Sequence, residues 1–285
     1  MPELIFLKLG GSLITDKTRP YTVRRDTLTR LATEIRSART RALRQAQGGA
    51  SGLSLVVGHG SGSFGHYAVK EHAPLLLTSP SPPSPLPKLG EGQRGEGFAK
   101  VWYRASQLNR YVIEALHEAG VPAISIPASA AVTTSGGSIT RWDLTSLKAA
   151  LEAGIVPVIY GDVVFDTLTG GAVLSTEHLM FYLAHHLPPR RILLAGLEAA
   201  VWADFPARRQ RVPKVTRANF DSLSEKIGGS HGMDVTGGMK SKVEEMLMLV
   251  HDIPQLSVQI FSGEEAGNVE KALAGETLGT ILASD

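Results

Sequence analysis

Lys8-Leu9-Gly10-Gly11-Ser12 closes the first apolar run of the chain and combines two features that suit an anion. Gly10 and Gly11 carry no side chains, so backbone N–H groups can approach a phosphate closely, and Lys8 adds a compact positive charge at the same point. Lys17 follows within reach of that turn. A second segment, Gly58-His59-Gly60-Ser61-Gly62-Ser63-Phe64-Gly65-His66, places four glycines within nine residues. A nest of N–H groups beside a helix start binds phosphate. The third segment, Asp234-Val235-Thr236-Gly237-Gly238-Met239-Lys240-Ser241-Lys242, leads into a helical pattern, so lysine charge and the positive end of a helix dipole coincide. A single glycine-rich turn is mostly structural, because tight turns need glycine anyway. Three of them, two with lysines, point to phosphate handling. Neither the Walker pattern nor a Gly-x-Gly-x-x-Gly after the first strand is present, which disfavours a P-loop or a dinucleotide-binding enzyme.

The elements around these turns alternate. Short apolar runs at Leu4–Leu9, Leu53–Val57, Ala123–Ile126, Val156–Tyr160, Ile192–Ala195 and Val258–Phe261 read as strands. Several are apolar on both faces, as inner strands of a parallel sheet covered by helices must be. Helical periodicity runs through Asp26–Arg44, Phe98–Glu118 and Ser241–His251. The expected fold is α/β, an α/β/α sandwich with a mainly parallel central sheet. We expect one domain over residues 1–285. Arg36–Gly52 is expected to run from a helix into a solvated loop. Pro74–Gly97 is proline-rich and then Gly/Glu/Arg-rich, an insertion with no packed element that is either a surface loop or a lid.

Composition sets outer limits. Hydrophobic residues make up 43% of the 285-residue chain and charged ones 20%, enough for a substantial core and too apolar for wholesale disorder. A formal net charge of +2 gives no reason to expect a nucleic-acid partner. The chain has no cysteine, which excludes thiolate metal sites, disulfides and a cysteine nucleophile. With no secretory signal and no apolar run near membrane-spanning length, a soluble cytoplasmic protein without a membrane partner is expected.

The three segments together resemble the amino acid kinase family. Lys8-Leu9-Gly10-Gly11-Ser12 and Thr236-Gly237-Gly238-Met239-x-x-Lys242 are similar to its two general signatures. Gly60-Ser61-Gly62-Ser63-Phe64-Gly65-His66, Ile14-Thr15-x-Lys17 and Tyr160-Gly161-Asp162-Val163-Val164 resemble the narrower pattern of isopentenyl phosphate kinases and the related fosfomycin kinase. The resemblance implies Mg²⁺- and ATP-dependent phosphorylation of isopentenyl phosphate to isopentenyl diphosphate, in an isoprenoid route of mevalonate type, by a homodimer. It implies that Lys8, Lys17 and Lys242 surround the transferred phosphoryl group. Gly10, Gly11, Ser12, Gly62, Gly237 and Gly238 would contact the nucleotide phosphates, and Ser61, His66 and Gly161 the acceptor phosphate. It implies an acceptor-binding first half (about 1–160) and a nucleotide-binding second half (about 161–285), and it identifies no metal ligands. Two rivals remain at this point: a kinase for another phosphate or phosphonate such as fosfomycin, and a catalytically silent nucleotide-binding relative.

The chemistry agrees with that inventory. A phosphate monoester has a second pKa of about 6, so its oxygen is already a nucleophile at neutral pH and no strong general base is needed. What must be overcome is repulsion between two anions, which lysines, Mg²⁺ and a protonated His66 reduce. Two segments depart from the family. Ser175-Thr176-Glu177-His178 stands where Ser-Gly-Asp-Gln is usual, and Glu177 is expected to keep the aspartate's role of orienting the lysines. Ala195-Gly196-Leu197-Glu198-Ala199-Ala200-Val201-Trp202 replaces Gly-Thr-Asp-Val-Asp-Gly-Val-Tyr, losing carboxylates at Leu197 and Ala199. Trp202 still offers an aromatic face to adenine. Asp162 is read either as a buried structural acceptor or as an orienting group, and His185 and His186 as an exposed helix end.

Overall fold

The computed structural model describes residues 2–47, 52–76, 93–224, 227 and 238–284. Its central sheet has eight strands, ordered β12-β14-β13-β9-β1-β2-β6-β3. These are β1 (Glu3–Leu9), β2 (Leu53–His59), β3 (Ala123–Ser125), β6 (Val156–Tyr160), β9 (Arg191–Gly196), β12 (Lys214–Val215), β13 (Ser257–Ser262) and β14 (Thr280–Leu282). Neighbours pair in parallel except β13 with β14. All six expected strands are therefore present. The all-apolar run Val156-Pro157-Val158-Ile159-Tyr160 is buried at every position, as a strand covered on both faces requires.

Alternation along β1 divides its side chains between two apolar layers. Ile5, Leu7 and Leu9 join Leu31 and Ile35 of α2 (Arg25–Gln47), and Leu108 and Val112 of α4 (Gln93–Glu118). Phe6 joins the opposite layer, with Leu179, Met180 and Leu183 of α7 (Thr176–His186) and Met246 and Val250 of α9 (Gly238–Asp252). The result is the three-layer sandwich the sequence predicts.

The segment Arg36–Gly52 opens as helix, as expected, but α2 continues to Gln47, three residues past the expected Arg44; its alanines and arginines are good helix formers, and Leu43 stays exposed on the outer face. The insertion is also shorter than its composition suggests. The helix α3 (Gly62–Leu76) extends through Pro74, and α4 begins at Gln93 and buries Gly97. Residues 77–92 lie outside the described part.

A smaller sheet, ordered β5-β4-β7-β8, stands beside this core. It consists of β4 (Val132–Ser135), β5 (Ser138–Trp142), β7 (Asp162–Asp166) and β8 (Gly170–Leu174). Asp166 knots two of its turns together. Its carboxylate accepts from Gly136 N (3.1 Å), Gly137 N (2.8 Å), Leu168 N (2.9 Å), Thr169 N (2.9 Å) and the Thr134 hydroxyl (2.8 Å). Burial works against the charge, but these donors outweigh it and hold the carboxyl well below the ordinary aspartate range. Asp166→Ala is expected to destabilise the protein by about 2–3 kcal/mol at neutral pH, since several donors lose their acceptor at once. A depressed folded pKa means the contribution is complete above the unfolded value of about 4 and is lost as pH falls towards the folded one. Denaturant titrations should therefore find the gap between parent and variant narrower at about pH 3 than at pH 7.

Candidate functional site

Because Lys8 shares the face of Phe6, its side chain leaves β1 towards α7 and α9. A lysine only 6% exposed needs a partner, and Glu177 supplies one: Lys8 Nζ lies 2.9 Å from Glu177 Oε1. Lys242 Nζ, on α9, lies 3.9 Å from the same oxygen. Glu177 sits in the first turn of α7, whose start is capped by Ser175 Oγ accepting from His178 N at 3.1 Å. Burial opposes the Glu177 charge, yet the charges of Lys8 and Lys242 and the hydrogen bond from Lys8 prevail and hold its carboxyl at about 2. The glutamate thus stands between the two lysines.

The glycine turns after β1 and β2 touch through their backbones. A Cβ on Gly11 would lie 2.7 Å from Gly62 Cα, and one on Gly60 would lie 2.8 Å from Gly11 N. Gly62 has φ +50°, a conformation that favours glycine. Thr15 ties the two turns: its hydroxyl donates to Gly11 O (2.7 Å) and accepts from Ser63 N (2.9 Å). The turns open into α1 (Gly11–Ile14) and α3, so two sets of helix-start N–H groups stand side by side.

A cavity of about 1040 Å³ spans this region, large for a single small ligand and suited to two substrates. Its wall includes Lys8, Gly10, Gly11, Ser12, Lys17, Ser61, Gly62 and His66 from the first half of the chain. From the second half come Gly161, Glu177, Trp202, Gly238 and Lys242. Every residue that the sequence assigned to the lysine cluster, the nucleotide or the acceptor phosphate lies on this one wall except Gly237, which is outside the described residues.

Sheet order sets the layout. On the β2 side of β1, His66 is anchored with Nδ1 donating to Gly62 O at 3.1 Å. Nearby wall residues Val69, Val173 and Leu174 are apolar. Val69 also packs on a small cluster of Ala68, Val101 and Val163, with Phe98 and Tyr21 at its edge. On the β9 side the wall is formed by Leu197, Glu198, Trp202, Phe205 and Arg208. Glu198 therefore brings a carboxylate to the wall although Leu197 and Ala199 carry none.

The remaining candidates separate cleanly. Asp162 is buried, accepts from Val163 N at 2.9 Å, and is pushed up to about 6 by burial; it is not part of the cavity wall. His185 and His186 occupy the exposed last turn of α7, as expected. His59 turns into the other layer, stacks on Tyr160 at 5.3 Å and is held neutral, near 4, first by burial.

Glu245 was missed. It lines the cavity three residues after Lys242, and burial, then the Glu177 charge, raise it to about 7 against the pull of Lys8 and Lys242. The signal was available: spacing of three on a helix puts Glu245 on the lysine's face. Arg208 was missed too, and no motif pointed to it.

The model of the amino acid kinase family matches residues 3–262. The isopentenyl phosphate kinase of Methanothermobacter thermautotrophicus is 34% identical over 286 residues, covering 96% of both chains. That of Methanocaldococcus jannaschii is 30% identical over 284 residues, covering 98% of both. Among solved structures, an isopentenyl phosphate kinase superposes with TM-score 0.75 at 30% identity, covering 98% of this chain and 99% of that one. A substrate complex of an isopentenyl phosphate kinase, at 24% identity and TM-score 0.69, shares the fold.

Proposed function

The chain belongs to the amino acid kinase family, and we propose that it transfers the γ-phosphoryl group of ATP to isopentenyl phosphate, giving isopentenyl diphosphate and ADP. The observation that carries this reading is the convergence of Lys8, Lys17, Lys242, His66 and two touching glycine turns on one cavity. The naming of the relatives agrees with it.

The acceptor phosphate binds on the β2 side, with Ser61, His66 and Gly161, and its tail meets Val69 and Val173. The triphosphate lies over Gly10, Gly11, Ser12, Gly62 and Gly238, with the base on the Trp202 side. An acceptor oxygen attacks the γ-phosphorus in line as the bond to the β-phosphate oxygen breaks. Lys8, Lys17 and Lys242 neutralise the charge of the moving group throughout, and Glu177 keeps Lys8 and Lys242 in place. The acceptor is ionised at neutral pH, so the site needs no general base.

Mg²⁺ fits the donor set as a guest of the nucleotide. Glu245 offers one carboxylate, and such an ion takes most of its oxygens from phosphate and water. When bound, it supplies further charge neutralisation. The same reading includes a homodimer acting in the cytoplasm, in an isoprenoid route of mevalonate type; its supports are the family and the relatives' activity. No described helix is long and apolar enough to cross a membrane.

The apolar cluster beside Val69 favours a short hydrocarbon tail over fosfomycin, a compact and polar phosphonate. Coupled ADP-release assays with isopentenyl phosphate, dimethylallyl phosphate and fosfomycin test the proposal. Turnover highest with isopentenyl phosphate is the expected result; preference for fosfomycin, or ATP binding without any turnover, would overturn it. His66→Ala is expected to lower kcat/KM for isopentenyl phosphate by about 10–100-fold, the value of one charge-assisted hydrogen bond. The KM for ATP should change little, and unchanged acceptor kinetics would remove His66 from the site.

A further inference from the structure

We propose that Arg208 and Glu198 are positioning residues for the nucleotide, locking the Trp202 indole into a fixed wall against which a purine base packs. The inference rests on the ATP-dependent reading above. Glu198 receives Arg208 through Nε (2.9 Å to Oε2) and Nη2 (2.7 Å to Oε1), a two-pronged grip that fixes the plane of the carboxylate. The Trp202 indole Nε1 donates to the same Oε2 at 3.0 Å. Arg208 in turn lies over the Phe205 ring at 4.9 Å, and its Nη1 donates to Pro206 O at 3.3 Å. All four side chains belong to the cavity wall.

The local backbone is arranged for this contact. Arg208 has φ +55°, a left-handed conformation that a residue with a Cβ adopts at a cost. Asp204 holds the turn by accepting from Arg209 N (3.1 Å) and Gln210 N (3.0 Å), while Ala203 N donates to Gln210 O at 2.8 Å. This closes the loop between the short antiparallel strands β10 (Val201–Trp202) and β11 (Arg211–Val212). The ion pair is about a third exposed on each side, and pairs this exposed contribute little to folding. Its geometric effect is larger: a Trp with its N–H tied to a clamped carboxylate has one ring orientation. A base stacking on it meets a surface that needs no ordering on binding. The loop lies on the β9 side of Lys8 and the glycine turns, where a triphosphate held by those turns would extend its base.

Arg208→Met and Arg208→Lys, with Glu198→Gln beside them, test the inference. Arg208→Met is expected to raise the KM for ATP about tenfold, the worth of a lost aromatic contact and its pre-ordering, with a much smaller effect on kcat and on the acceptor KM. Lysine should restore only part of this, because a point charge cannot grip both carboxylate oxygens. The preference for ATP over CTP should narrow in both arginine variants, which a merely structural role would not produce. The Trp202 share of the fluorescence change on ATP addition, taken as the difference from Trp202→Phe, should shrink as well. If the parent binds no ATP, the kinase reading itself fails. If the parent binds ATP and Arg208→Met keeps its ATP KM and its ATP/CTP ratio, this inference alone is overturned. Equal rises in both KM values with a lowered melting temperature would also overturn it.

Discussion

Lys8→Ala is expected to lower kcat by about a thousandfold while the protein still folds. Lys8 is the cation at the end of β1, on the cavity wall and 2.9 Å from Glu177. In phosphoryl transfer the protein contributes mainly charge and alignment, so removing a central charge acts on the transition state more than on substrate binding. The fold survives because Glu177 keeps Lys242, 3.9 Å away, as a partner. Its carboxyl, now held at about 2 with the help of Lys8, should move upward in the variant. Steady-state kinetics with both substrates saturating, paired with a melting curve, measure the two effects separately. A variant with parental kcat would show that Lys8 merely neutralises Glu177, and the charge-clamp mechanism would fall.

Gly11→Ala is the second change with a large expected effect, and it tests alignment rather than charge. The added Cβ has nowhere to go, since it would stand against the backbone of Gly62 rather than against a side chain that can rotate. Thr15 bonds both turns, so they can separate only by breaking one of its hydrogen bonds. Displacement of about 1 Å at a reacting centre costs on the order of a hundredfold in rate. We therefore expect kcat/KM to fall at least about that far, and stability to fall by about 1–3 kcal/mol, as for other overpacked sites. Gly95→Ala is the matched control, because a Cβ there meets nothing within 4 Å. Its activity and melting temperature should stay close to parental. If Gly11→Ala behaved like that control, the contact between the turns would not be what aligns the two phosphates.

Glu245 illustrates a limit that helix spacing alone does not remove. Placing it on the face of Lys242 follows from the sequence, but its value of about 7 follows first from burial and then from the neighbouring charge on α7, more than sixty residues earlier in the chain. The same applies to Arg208 and Glu198, whose ion pair depends on a left-handed turn that no glycine announces. Conversely, the end of α2 at Gln47 rather than Arg44 was not legible, because the composition there suits a solvated loop and a solvated helix equally well.

From residue types alone came the alternating strands and helices, the glycines that leave room for phosphate, and the lysines beside them. These are local properties, governed by side-chain period and by the absence of a Cβ. Sequence could also nominate Glu177, since a carboxylate of nearly the same length stands where the family has one. Only the tertiary structure decided that residues from turns fifty and more positions apart share one wall, because parallel strand order and the two-residue pleat determine which ends meet and which face each side chain takes. Charges and their pKa values were decided there too, since burial and distance are properties of the packed chain.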